Sequence, residues 1–318
     1  MPILEVNYTP PIWLRNAHIN TLFPYLFRKS NIVYSRQRVF TPDQDFFDVD
    51  NVHDKQKKLA VLLHGLEGSA YSQYMLGTSE LLAQHGWDVS CINFRSCSGP
   101  INLQKSLYHS GFTADLHHYI QNHTIDYETV VLIGFSLGGN VVLKYTTDQV
   151  FTVPHNIRCA IGVSVPCDLK GSSIEIKKRK NIIYQRNFLK SLSNKMRQKA
   201  TQFPEIQIEN MSKVKNLVDF DDYFTAPIHG FRDADDYYFQ NSSLKSLPNA
   251  VIPTLLINAK DDTFLSPSCF PINMAQGHKN FYLSMPSYGG HVGFANFGAP
   301  FNWNELTILK FISDHVES

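Results

Sequence analysis

Through the first half of the chain, short apolar, β-branched runs alternate with longer amphipathic stretches, and this alternation restricts the accessible folds more than any other feature. Residues 59–63, 89–93, 130–134 and 157–163 are apolar at nearly every position, which predicts strands buried on both faces. Between them, residues 73–85, 113–122 and 137–147 carry helical spacing, as in Leu76, Leu81 and Leu82. A strand–helix–strand rhythm repeated in this way predicts an α/β protein with a mostly parallel central sheet flanked by helices. Further strands are expected at 252–258 and 281–285. A closing helix is expected at 303–316, on the spacing of Leu306, Leu309, Ile312 and Val316.

The stretch from about 166 to 248 breaks this rhythm. It holds no convincing strand, and its charge is segregated. Residues 168–199 hold ten Lys/Arg against two Asp/Glu, and residues 201–240 hold three against eight. A helical, charge-polarised segment between two sheet strands reads as an insertion packed over one end of the sheet. The expected organisation is therefore a core of 1–165 with an amino-terminal arm, a helical lid insertion of 166–248, and the rest of the core at 249–318.

Composition narrows the functional classes. The 29 Lys+Arg nearly cancel the 28 Asp+Glu, which argues against a nucleic-acid binder. Charged residues are 18% and aromatics 13%, the reverse of a disordered chain. Five cysteines without CxxC spacing, and a start at Met1-Pro2-Ile3 without a basic leader, lead us to expect reduced thiols in a cytoplasmic protein. No apolar run approaches the roughly 20 residues that span a bilayer. A soluble globular protein is expected.

Gly134-Phe135-Ser136-Leu137-Gly138 follows the strand run 130–133 and opens a helical pattern. A serine raised on a sharp strand-to-helix turn needs small neighbours two residues away on either side. The same turn aims the free N–H groups of a helix N-terminus at the place where an oxyanion would form. The pattern alone is weak, since a glycine-rich turn can carry a bystander serine; the strand before and the helix after give it force.

A hydroxyl needs a base, and the base needs orienting. His291 lies in Tyr288-Gly289-Gly290-His291-Val292-Gly293, directly after a predicted strand, and Asp261-Asp262 follows the preceding one. The order Ser136, Asp, His291 is that of α/β-hydrolases. Asp262-Thr263-Phe264-Leu265 fits the usual position of the acid better than Asp261, which is expected to accept backbone N–H bonds and cap the loop. The backbone N–H groups of Leu66, in His64-Gly65-Leu66-Glu67-Gly68, and of Leu137 are expected to form the oxyanion hole. His64 itself is expected to be structural. Neither a dinucleotide-binding GxGxxG nor a P-loop is present. The loose group His109, His117, His118 and His123 lacks metal-ligand spacing, so no cofactor and no metal are expected.

These blocks resemble the YheT-like branch of the α/β-hydrolases. The resemblance extends to Phe94-Arg95-Ser96-Cys97-Ser98-Gly99, Tyr108-His109-Ser110-Gly111, Pro10–Asn16 with His18 and Thr21, and Thr225-Ala226-Pro227-Ile228-His229-Gly230-Phe231. It covers nearly the whole chain and implies the α/β-hydrolase fold and a serine hydrolase of carboxylic esters. Carried over, Ser136 matches the nucleophile, Asp262 the acid and His291 the base. Ala17, Asn20 and Thr263 depart from the branch's pattern, which bears on substrate detail. No membrane anchor like that of the animal members is expected here.

The expected reaction is cleavage of small-molecule or lipid acyl esters through an acyl-enzyme on Ser136, with no nucleic acid and no obligate protein partner. A phospholipase, lipase or thioesterase would differ only in the leaving group, and a non-catalytic module of the same fold is the alternative from another class. In the insertion, Ile182, Ile183, Phe188, Leu189, Leu192 and Met196 are flanked by nine Lys/Arg from Lys177 to Lys199. Their basic side is either a solvated outer face or a contact for anionic membranes. If the helix docks on a membrane, its apolar residues are expected to gate the acyl pocket beside Tyr223, Phe224 and Phe231.

Overall fold

The computed structural model describes residues 3–316. Eight strands form one sheet: β1 Ser35–Phe40, β2 Phe46–Val52, β3 Lys58–Leu63, β4 Asp88–Asn93, β5 Thr129–Phe135, β6 Ile157–Val163, β7 Thr254–Ile257 and β8 Phe281–Ser284. Their order across the sheet is β1-β2-β4-β3-β5-β6-β7-β8. β1 and β2 are antiparallel to their neighbours, and the pairs from β4 through β8 are parallel.

The central strands alternate between two cores, which is why both of their faces read as apolar. Leu59, Val61, Leu63, Val130 and Leu132 point to one side; Ala60, Leu62, Val131 and Ile133 point to the other. The first face is covered by α3 (Ala114–His123) and α4 (Leu137–Thr147), the second by α2 (Gln73–Gln84) and α11 (Trp303–Val316). α1 (Ala17–Phe27) starts on Asn16, whose side chain accepts from the amides of His18 and Ile19.

β1 and β2 carried no signal in the sequence reading. β2 buries Asp48 and Asp50, and a strand with two buried carboxylates looks polar until its partners are known. Arg38 and Arg36 stand directly across from them on β1 and bind them at 2.8 Å each.

Between β6 and β7 the regular elements are all helical, the longer ones being α5 Leu169–Ile176, α6 Ile182–Gln202, the short α7 Leu217–Phe220 and α8 Ala226–His229, and α9 Ala234–Asn241. α10 (Ile272–Gly277) lies between β7 and β8. α6 does not divide as the sequence reading expected. Ile182 and Ile183 are exposed, while two of the basic residues turn inward. Lys195 reaches Glu67 at 2.8 Å, and the buried Lys199 donates to the carbonyl of Asn102 at 2.6 Å. A long amphipathic stem lets a lysine cross an apolar layer and still place its ammonium on oxygen.

Candidate active site

Ser136 occupies the turn between β5 and α4 with φ 52° and ψ −119°, a backbone conformation that a residue with a side chain adopts only under constraint. The glycines on either side make the turn possible. A Cβ on Gly134 would lie 2.2 Å from the carbonyl oxygen of Gly138, and one on Gly138 would lie 2.4 Å from that of His64. The amide of Ser136 is tied to the carbonyl of Val163 at 2.8 Å, which joins the turn to the neighbouring strand.

The loop after β8 brings His291 to this serine. His291 Nε2 lies 2.9 Å from Ser136 Oγ, and its Nδ1 lies 2.9 Å from Asp262 Oδ2. The second Asp262 oxygen accepts from the amide of Phe264 at 3.0 Å. Both side chains are buried, so the chain from carboxylate to hydroxyl is largely shielded from water. Asp261 points elsewhere: its Oδ1 accepts from the amide of Gly290 at 3.0 Å, while its Oδ2 is buried without a partner among the described residues. Burial pushes the Asp261 carboxyl up to about 6.

Several groups that hold this geometry were not singled out as site residues in the sequence. The hydroxyl of Thr21, on α1, accepts from the amide of His291 at 2.9 Å, and that of Ser164 accepts from Val292 at 2.9 Å. α1 lies so close that a Cβ on Gly290 would stand 2.3 Å from the carbonyl of Ala17. The ring of Phe264 lies 4.3 Å from that of His291, centroid to centroid. A hydroxyl or a phenyl ring on a distant segment leaves no spacing signal in the sequence.

His64 is fully buried, with Nε2 accepting from the amide of Phe94 at 3.1 Å and Nδ1 2.7 Å from the carbonyl of Gly65. Burial lowers it to about 3, so it is a neutral imidazole that ties two loops together. On that loop, Tyr74 holds the amide of Gly65 at 3.0 Å and Tyr108 that of Glu67 at 2.8 Å. Leu66, between them, lines the same cavity as Ser136, Leu137 and His291. Leu137 is the first residue of α4, where the amide has no acceptor within the helix.

That cavity, of about 140 Å³, lies between the sheet and the helices that follow β6. One side is apolar, with Leu107, Leu192, Met196, Phe220 and Phe224. Of the gating residues expected from sequence, Phe188, Leu192, Met196 and Phe224 line it. Tyr223 is exposed, and Phe231 packs on His109 instead. The other side holds His109 and His229, whose rings lie 4.6 Å apart. Burial lowers both, His229 to about 4. Among the described residues, no group of three or more His, Cys, Asp or Glu is placed to hold a metal ion.

A strained serine at a strand-to-helix turn of a mostly parallel sheet, beside a histidine and an aspartate from the loops after later strands, is the arrangement of an α/β-hydrolase. Residues 59–294 match the α/β-hydrolase fold family, and the chain belongs to it. Within that family it is YheT-like: it is 32% identical over 99% of its length to YheT of Escherichia coli (strain K12), by name a candidate esterase, and covers 95% of that protein. Phospholipase ABHD3 of Bos taurus is 28% identical over 92% of this chain and 74% of its own. Monoacylglycerol lipase of Saccharomyces cerevisiae is 24% identical over 87% of this chain and 63% of its own. These relatives carry esterase and lipase names, and this chain belongs to the same esterase/lipase-type family of α/β-hydrolases. Among solved structures, the Pyrococcus furiosus esterase Pf2001 superimposes with a TM-score of 0.60 at 17% identity, covering 99% of this chain and 97% of that one, a likeness of fold.

Proposed function

We propose that the protein is a cytoplasmic carboxylesterase-type serine hydrolase that cleaves acyl esters through an acyl-enzyme. Ser136 Oγ attacks the ester carbonyl and forms the new C–O bond as its proton passes to His291 Nε2. Asp262 holds the imidazole in the tautomer that can accept that proton and stabilises the imidazolium. The amides of Leu66 and Leu137 hold the oxyanion. Collapse breaks the bond to the alcohol, which leaves with the proton from His291. Water, deprotonated by the same nitrogen, then releases the acid and regenerates Ser136.

The observation that carries this reading is the continuous hydrogen-bond chain Ser136–His291–Asp262, at 2.9 Å per link, on the wall of a largely apolar cavity. The apolar side supports an acyl chain as the group bound, and residues 166–248 act as the lid over it. The five cysteines are free thiols, which supports the cytoplasmic assignment.

A fluorophosphonate probe tests the chemistry, because it labels an activated serine and spares an inert one. Labelling of the protein and its loss in Ser136→Ala is the expected result, together with hydrolysis of p-nitrophenyl esters. An unlabelled, folded protein with no turnover would overturn the proposal in favour of a non-catalytic module.

A further inference from the structure

α1 and the segment before it expose an unusual amount of apolar surface. Ile12 is 81% exposed, Tyr25 71%, Phe27 66% and Leu26 63%, and Phe297 joins them at 60%. Phe27 and Phe297 belong to one ring cluster: Trp13 lies against Phe23 and Phe297, with centroids at 5.2 Å and 5.4 Å, and Phe23 lies 5.0 Å from Phe27. A ring cluster flanked by further exposed apolar side chains on the same short helix marks a contact surface.

Charge identifies the partner. From Val6 to Pro42 the chain has no Asp or Glu and five Arg/Lys. Arg28, Arg36 and Arg38 are taken up by Glu305, Asp50 and Asp48. Arg15 and Lys29 are exposed and have no acidic partner among the described residues. α6 adds to the same region, since Tyr184 in its first turn meets His18 of α1 at 3.1 Å. That contact brings the exposed Ile182 and Ile183, and the exposed run Lys177–Lys180 before them, toward the start of α1. Trp and Tyr with a basic rim suit the boundary between acyl chains and anionic headgroups.

We propose that α1, with the start of α6, docks the enzyme on an anionic lipid surface, α1 and Phe297 entering the apolar boundary and the lysines meeting the headgroups. The placement serves the active site. Tyr184 stacks edge-on against Phe264 at 5.0 Å, and Phe264 lies on His291, so two aromatic rings link this surface to the proposed base. The link to ester hydrolysis rests on the proposed function; the docking itself does not.

Sedimentation with phosphatidylcholine vesicles, with and without phosphatidylglycerol, tests this on the full chain. The wild type is expected to bind the anionic vesicles and to bind less as salt rises. Tyr25→Ser combined with Leu26→Ser and Phe27→Ser should weaken binding by on the order of tenfold or more. Its circular dichroism and its turnover of p-nitrophenyl acetate should stay unchanged. Lys177→Gln with Lys180→Gln should weaken binding at low salt only. Absence of wild-type binding, or equal binding by the serine variant, overturns the proposal. A dimer that the serine variant dissociates, without vesicle binding, would assign the patch to a second copy and overturn it too. Vesicle binding without any esterase activity would refute the hydrolase reading and leave the docking surface standing.

Discussion

A methyl group on Gly138 would stand 2.4 Å from the carbonyl oxygen of His64 and 2.5 Å from that of Leu63, so the helix that follows Ser136 is pressed against the end of β3. These neighbours are backbone atoms of a central strand and its buried loop, and they cannot swing away. Gly138→Ala should therefore cost about 1–3 kcal/mol in overpacking and shift the serine turn. Thermal unfolding should show a lowered midpoint, and turnover should fall further than stability alone accounts for. An alanine variant with wild-type stability and activity would contradict the close approach.

Ser136→Ala and His291→Ala should each reduce turnover of a p-nitrophenyl ester by about 10⁴-fold or more while circular dichroism stays native. The double variant should be hardly worse than either single one, because the two groups act as a unit. Retention of a tenth of wild-type turnover by either folded variant would refute the proposed mechanism.

Asp262→Asn should reduce turnover by roughly 10⁴-fold, since an amide stabilises the wrong imidazole tautomer. Asp261→Asn should have a small effect, because an amide oxygen can still accept from Gly290. Steady-state kinetics on the two folded variants decide between the carboxylates, and a larger loss at Asp261 would reverse the assignment.

Asp261 also predicts a pH effect. Its carboxyl is raised from 3.8 to about 6 in the folded protein by burial, so between these values the folded state holds a proton that the unfolded state has released. Stability from this group is thus full below about pH 4 and falls as pH rises to about 6. Asp261→Asn should remove that slope and leave the variant more stable than wild type above pH 6. Chemical denaturation at pH 4, 5 and 7 checks it, and parallel pH profiles for the two proteins would count against it.

Among relatives of this fold, the parts readable in advance are those where a local requirement writes itself into neighbouring residues. The strands β3, β5 and β6 are apolar on both faces because helices cover both faces, and that shows as a run broken in β6 only by the exposed Arg158. The serine turn shows because two close backbone approaches, Gly134 to Gly138 and Gly138 to His64 at the end of β3, demand glycine twice within five residues. β1 and β2 stayed hidden because their buried Asp48 and Asp50 are satisfied only by Arg38 and Arg36 on the partner strand.

The order of Ser136, Asp262 and His291 along the chain was enough to propose a site, because each follows a strand and strand ends converge on one edge of a parallel sheet. Which carboxylate meets the imidazole depended on tertiary structure, since Asp261 and Asp262 differ by one residue in sequence and diverge only once Gly290 claims the first. The supports of His291, with Thr21 at its amide and Phe264 on its ring, come from segments 270 and 27 residues away in sequence. The inward turn of Lys199 likewise follows from the carbonyl of Asn102, 97 residues distant. Residue type and spacing record what a side chain can do locally; the partner it does it with is fixed only when the layers close over it.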